Sequence, residues 1–158
     1  MLPATEPANP YGATLKWPAS SGLAASAGQA PATDASRRSH AEAASAASAG
    51  RSPTRSVGAT VILVDGALAA YLARGDRLLA TFLPAQEPER SRAARAVAHA
   101  LIARARGAAP GEPESEGPRG MLIEEIDGAP PALHALAAYL VDAGFVDGAM
   151  GLRANLRI

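Results

Sequence analysis

Apolar positions along this chain fall into short periodic blocks on either side of one long stretch that has almost none. Residues 19–56 consist almost entirely of Ala, Ser, Gly, Pro, Thr and Arg, with a single large aliphatic residue, Leu23. Such a segment has too little apolar surface to offset the entropy of ordering it. It is therefore read as a disordered Ala/Ser/Pro-rich linker. The linker separates an extended N-terminal segment, residues 1–18, expected to dock on the body, from an α+β domain over residues 57–158.

The pattern within 57–83 predicts a three-stranded antiparallel meander. Val57–Val64 is a β-branched apolar run, apolar on both faces and so expected at the centre of a sheet. Asp65-Gly66 supplies a two-residue turn of type I′, in which both central residues need positive φ. Ala67–Arg74 returns, Gly75-Asp76 turns again, and Arg77–Leu83 makes the third strand. From Glu89 to about Arg106 the period changes. Ala94, Val97, Leu101 and Ala105 form a stripe at helical spacing, Pro88 suits the first turn, and Gly107 ends the helix. Glu87 and Glu89 sit where the helix dipole favours negative charge.

Residues 107–119 read as a polar loop and Met121–Asp127 as a short strand closed by Asp127-Gly128. Pro130-Pro131 then starts a second helix, with Leu133, Leu136, Ala137 and Leu140 on its inner face and Gly144 as its C′ residue. Phe145–Asp147 pairs with Leu152–Ile158 across Gly148–Gly151. In the last strand Leu152, Ala154, Leu156 and Ile158 face one way and Arg153, Asn155 and Arg157 the other. The predicted order is β-β-β-α-β-α-β-β, a small α+β domain whose final strand, helix and hairpin are winged-helix-like.

Composition narrows the chemistry. Fifteen basic residues balance fifteen acidic ones, so any capture of nucleic acid or membrane must come from local patches. There is no cysteine, which removes disulfides and thiolate metal sites and suits a reducing cytoplasm. No apolar run reaches the ~20 residues of a membrane span, and residues 1–20 lack the features of a secretory signal. The three histidines, His40, His99 and His134, have no i, i+4 partner, so neither a metal nor another cofactor is expected.

Arg92, Arg95, His99 and Arg106 fall close together on the outer side of the first helix. They could hold phosphates, or form an ordinary solvated face. Arg153 and Arg157 alternate outward on the last strand and could extend that patch. The result would be weak, salt-sensitive, sequence-independent DNA binding. Tyr11 and Trp17, with Lys16 beside them, could stack on bases or anchor an extended arm to its own domain. Glu124, Glu125 and Asp127 lie on one strand and its turn. They are candidates for carboxylate chemistry, or for plain exposure and turn geometry.

Several short motifs in series carry a family resemblance. Pro7-Ala8-Asn9-Pro10-Tyr11-Gly12, followed by Leu15-Lys16-Trp17-Pro18, resembles the segment that enters the last module of the C-terminal region in large helicase-related (Lhr-type) proteins. These are superfamily-2 ATP-dependent DNA helicases. Val64-Asp65-Gly66, Tyr71-Leu72-Ala73-Arg74-Gly75 and Leu78–Leu83 resemble that module's three strands. Ile126-Asp127-Gly128, Ala143-Gly144-Phe145 and Gly151-Leu152-Arg153 also follow its pattern. The family's final wing tends to be basic, whereas Asp147-Gly148-Ala149-Met150 is not.

The resemblance implies a detached C-terminal end of a parent that hydrolyses ATP, translocates on single-stranded DNA and serves DNA repair. The expected partners are the winged-helix and motor domains of that parent, and DNA. The chain has no G-x-x-x-x-G-K-[ST] loop to cradle phosphates, so a non-catalytic accessory role is expected. Two alternatives stand beside it. Glycosylase activity has been proposed within the family's C-terminal region, which makes part of a base-excision module one of them. A degenerate gene fragment with no role of its own is the other.

Overall fold

A computed structural model describes residues 1–19, 53–107 and 120–156. The expected linker, but for its first residue and last four, lies outside these residues, as do Arg157 and nearly all of the 107–119 loop. The elements are β1 (Leu2–Pro3), β2 (Thr60–Val64), β3 (Ala67–Leu72), β4 (Leu78–Thr81), α1 (Glu89–Ala105), β5 (Leu122–Ile123), β6 (Glu125–Ile126), a 3-10 turn (Pro131–Leu133), α2 (Leu136–Ala143), β7 (Phe145–Gly148) and β8 (Gly151–Ala154). The fold is α+β, as the pattern predicts. One sheet has the order β1-β2-β3-β4-β6 and a second the order β5-β8-β7. All neighbours are antiparallel except β4 and β6, which run parallel.

The main core lies between the helices and both sheets. Ile62, Leu72 and Leu79 of the first sheet meet Val97, Leu101, Leu136 and Leu140 of the helices, and Ile123, Phe145 and Leu152 of the second sheet join them. The helical stripe Ala94, Val97, Leu101 and Ala105 is buried as predicted. On the other face of the first sheet, Val61, Leu68 and Tyr71 pack against Ala4, Tyr11 and Trp17 of the N-terminal segment. This second cover is why β2 is apolar on both faces. Ala69 and Ala70 both face the main core because the register shifts between Ile62 and Leu63, where β3 carries an extra residue.

Turn chemistry accounts for several connections. Asp65 (φ 51) and Gly66 (φ 82) both take positive φ, as do Asp127 (φ 52) and Gly128 (φ 83), which is what a two-residue I′ turn demands. Gly144 ends α2 with φ 116.

Elsewhere the elements depart from the expected ones. The first strand starts at Thr60 rather than Val57, because the left-handed Gly58 (φ 88) bends the chain there and leaves Val57 82% exposed. The β3–β4 connection is wider than Gly75-Asp76. Strand β3 stops at Leu72, and the Ala73 N–H reaches the Leu78 carbonyl at 2.9 Å.

The single strand expected over Met121–Asp127 is two. Strand β5 pairs with β8, and after Glu124 the chain crosses to pair β6 with β4. The expected second helix opens with the 3-10 turn and is interrupted at His134, whose backbone is extended. Leu133 consequently points away from the core and is 81% exposed. The expected Gly148–Gly151 tip narrows to Ala149-Met150, since the two glycines pair with each other.

Candidate nucleic-acid interface

Helix α1 presents Arg92, Arg95 and His99, with Arg106 just past its C-terminal end, and all four are exposed. Their surroundings differ. Arg92 is ion-paired with Asp65 on the β2–β3 turn, and both side chains lie largely in solvent. Arg95 and His99 have no ion-pair or hydrogen-bond partner among the described residues. The Arg106 guanidinium reaches back over Gly144, where an added Cβ would sit 3.2 Å from its Nη2. At the N-terminal end, Glu87 accepts a hydrogen bond from the Ser91 N–H at 3.1 Å. Bonding to Ser91, through its side chain first and then its backbone, holds the Glu87 carboxyl below its ordinary value, with Arg90 and Arg95 adding to the effect.

Arg153 does not sit on this helix face. It projects from β8 into a groove that it shares with Arg74, Arg77 and Arg104. Lys16 is exposed on the N-terminal segment. Trp17 is packed beside it, stacked on Tyr11 at 6.1 Å between ring centroids and edge-on to Tyr71 at 5.6 Å. Gly12 (φ 74) makes room for the indole, because a Cβ there would come within 2.7 Å of the Trp17 ring nitrogen. The Tyr11 hydroxyl accepts a hydrogen bond from the Leu68 N–H at 3.2 Å.

Two features escaped the sequence reading. Arg55, inside the expected linker, donates to the carbonyls of Asn9 (2.6 Å), Tyr11 (3.3 Å), Thr5 (3.1 Å) and Glu6 (3.2 Å). One of four arginines in a low-complexity stretch, Arg55 carries no periodic signal that could reveal this.

The second is the Asp127 carboxylate, which is buried instead of solvated. It accepts from the Thr81 N–H (2.7 Å) and the Thr81 hydroxyl (2.5 Å), and it pairs with His134 Nε2 at 3.1 Å. His134 Nδ1 accepts from the Leu136 N–H, so the proton that meets Asp127 sits on Nε2. Of the neighbouring carboxylates, Glu124 is ion-paired with Arg77 at 2.6 Å and Glu125 is half-buried in β6. Among the described residues no group of three or more His, Asp or Glu side chains is placed to hold a metal. Nor is any helix among them long and apolar enough to cross a membrane.

No family model matches the chain, and no solved structure does. The sequence is 31% identical over 137 residues to a Mycolicibacterium smegmatis protein named "Lhr helicase/ probable uracil glycosylase". The match takes in 82% of this chain and 7% of that protein, so the chain spans a small part of its relative's length. It is similar to a short region of an Lhr-type helicase.

Proposed function

We propose that the chain is a non-catalytic accessory module from the C-terminal region of an Lhr-type ATP-dependent DNA helicase engaged in DNA repair. In this reading it packs on the parent's winged-helix and motor domains and holds nucleic acid by its phosphates. The observation that carries the reading is the similarity of most of the chain to part of an Lhr helicase. The chemistry agrees with a role short of catalysis, since no phosphate-cradling loop occurs in the sequence. Arg95, His99, Lys16 and Arg153 are exposed and can meet phosphates without breaking an ion pair or hydrogen bond seen among the described residues. Arg92 on α1 and Arg106 just past its C-terminal end belong to the same proposed contact set, as does Arg157, which lies outside the described residues. Trp17 supports the segment that carries Lys16.

The test is anisotropy of a labelled single-stranded oligonucleotide across a salt series. Binding should weaken steeply with salt and show no sequence preference. Arg92→Ala combined with Arg95→Ala should weaken it further. Absence of binding at low salt would sink the DNA-holding role.

The relative's name also includes a probable uracil glycosylase, which keeps a base-excision reading in view. Base excision needs a carboxylate open to a pocket, to activate water or stabilise a sugar cation. Here Asp127 has both oxygens committed inside the fold, and Glu124 is held by Arg77. A uracil-containing oligonucleotide incubated with the purified chain should therefore stay intact after alkali treatment. Strand cleavage would reverse the preference.

A further inference from the structure

The groove shared by Arg74, Arg77, Arg104 and Arg153 opens where the β3–β4 turn, the C-terminal end of α1 and β8 meet, and its volume is about 1090 Å³. Its arginines are not equivalent. Arg104 Nε lies 3.1 Å from Asp76 Oδ2, and Arg77 Nη1 lies 2.6 Å from Glu124 Oε1. Arg74 and Arg153 have no carboxylate partner among the described residues. Among the described residues, four guanidiniums set against two carboxylates leave these two in excess.

Both are held out towards the groove. The Arg74 stem lies against Gly58, where an added Cβ would come within 3.1 Å of Arg74 Cγ, so the missing side chain lets the stem lie flat. Arg153 points outward from β8 because its neighbours Leu152 and Ala154 fill the core. Leu122, Val146 and Leu156 line the same groove and give it apolar surface.

Guanidiniums beside apolar side chains in one groove are a combination that takes a flexible strand. The guanidiniums pair with phosphates, and sugars and bases pack against the aliphatic side chains. We propose that this groove is a phosphate-binding track for single-stranded nucleic acid, with Arg74 and Arg153 as its primary phosphate ligands. The proposal rests on the nucleic-acid reading above and moves the main contact from the α1 face to the groove.

The test is an amide NMR titration of the full chain with a short oligothymidylate and, separately, with pyrophosphate. The oligonucleotide should shift the amides of Gly58, Gly75 and Asn155. Arg74→Ala with Arg153→Ala should weaken oligonucleotide binding about tenfold. It should also flatten the log–log salt slope by about 1.4, from two phosphate contacts at roughly 0.7 each. Both side chains are exposed, so the rest of the spectrum should be unchanged. The double lysine variant, Arg74→Lys with Arg153→Lys, should keep the salt slope.

Shifts confined to α1 amides, with the alanine pair binding normally, would overturn the groove and leave the nucleic-acid role standing. No shift at any amide would overturn both. Pyrophosphate binding as tightly as the oligonucleotide would reduce the groove to a small-anion site and overturn the strand assignment.

Discussion

Asp127 does two jobs that conflict on the surface of a protein and are reconciled here by burial. Its backbone makes a positive-φ turn with Gly128, and its carboxylate binds β4 and the start of α2 together through Thr81 and His134. Asp127→Asn keeps one acceptor for the Thr81 N–H. It also turns an amide NH2 towards a ring N–H, because His134 Nδ1 is already occupied by Leu136. A buried donor facing a donor, with a charged acceptor lost, costs about 2 kcal/mol. Urea denaturation should show that loss, and an unchanged midpoint would contradict the network.

Gly151 is a second point of no tolerance. A Cβ there would lie 2.1 Å from the Ile123 carbonyl oxygen, and φ is 128. Gly151→Ala should therefore destabilise by more than about 2 kcal/mol or prevent folding. Gly66→Ala, with φ 82 but nothing within 4 Å, should cost only about 1 kcal/mol. Thermal melts of the pair separate collision from backbone strain.

At the scale of elements, the N-terminal segment is a strand and an aromatic anchor, and one side chain, Arg55, ties its carbonyls together. Arg55 donates to four carbonyls of the segment, and Asn9 ties the segment to itself through Ala4 and Tyr11. Trp17 is the chain's one tryptophan, so its emission reports docking of the segment. Arg55→Ala should redden that emission below the temperature at which helix is lost, whereas the two should change together in the unaltered chain.

The elements differ in how plainly they could be read. Asp65-Gly66 and Asp127-Gly128 stand out because few residues accept positive φ. Helix α1 stands out because its apolar period runs for several turns. Strands β5 and β6 are two residues each, too short for any alternation, and the crossing between them is set by what β4 and β8 offer. The break before α2 follows from where the His134 side chain is needed, a tertiary demand that overrides local periodicity.

The molecule as a whole is joined where those short strands meet. The Arg77 carbonyl accepts from both the Glu124 N–H (2.8 Å) and the Glu125 N–H (3.3 Å), linking the start of β4 to the crossing between sheets. With both sheets and both helices sharing one core, far-UV dichroism and tryptophan emission should report a single coincident transition. A gradual, probe-dependent loss would favour the degenerate-fragment reading instead. The candidate site is legible only in part at this scale. The outer face of α1 shows in the sequence because helical spacing gathers Arg92, Arg95, His99 and Arg106. The groove does not, because Arg74, Arg104 and Arg153 come from three distant elements and meet only in the folded chain.

The docked N-terminal segment has one more consequence. Its β1 ladder, the Arg55 clamp and the Tyr11–Trp17–Tyr71 stack are all grips from residues 53–82 on residues 1–19, and none needs the peptide bonds between 20 and 52. A protease cut anywhere in that interval should yield two pieces that elute as one. A synthetic peptide of residues 1–19, added to a chain beginning at residue 53, should bind stoichiometrically with a blue shift in indole fluorescence. Independent elution of the halves would show that covalent continuity, and not the grip, keeps the segment in place.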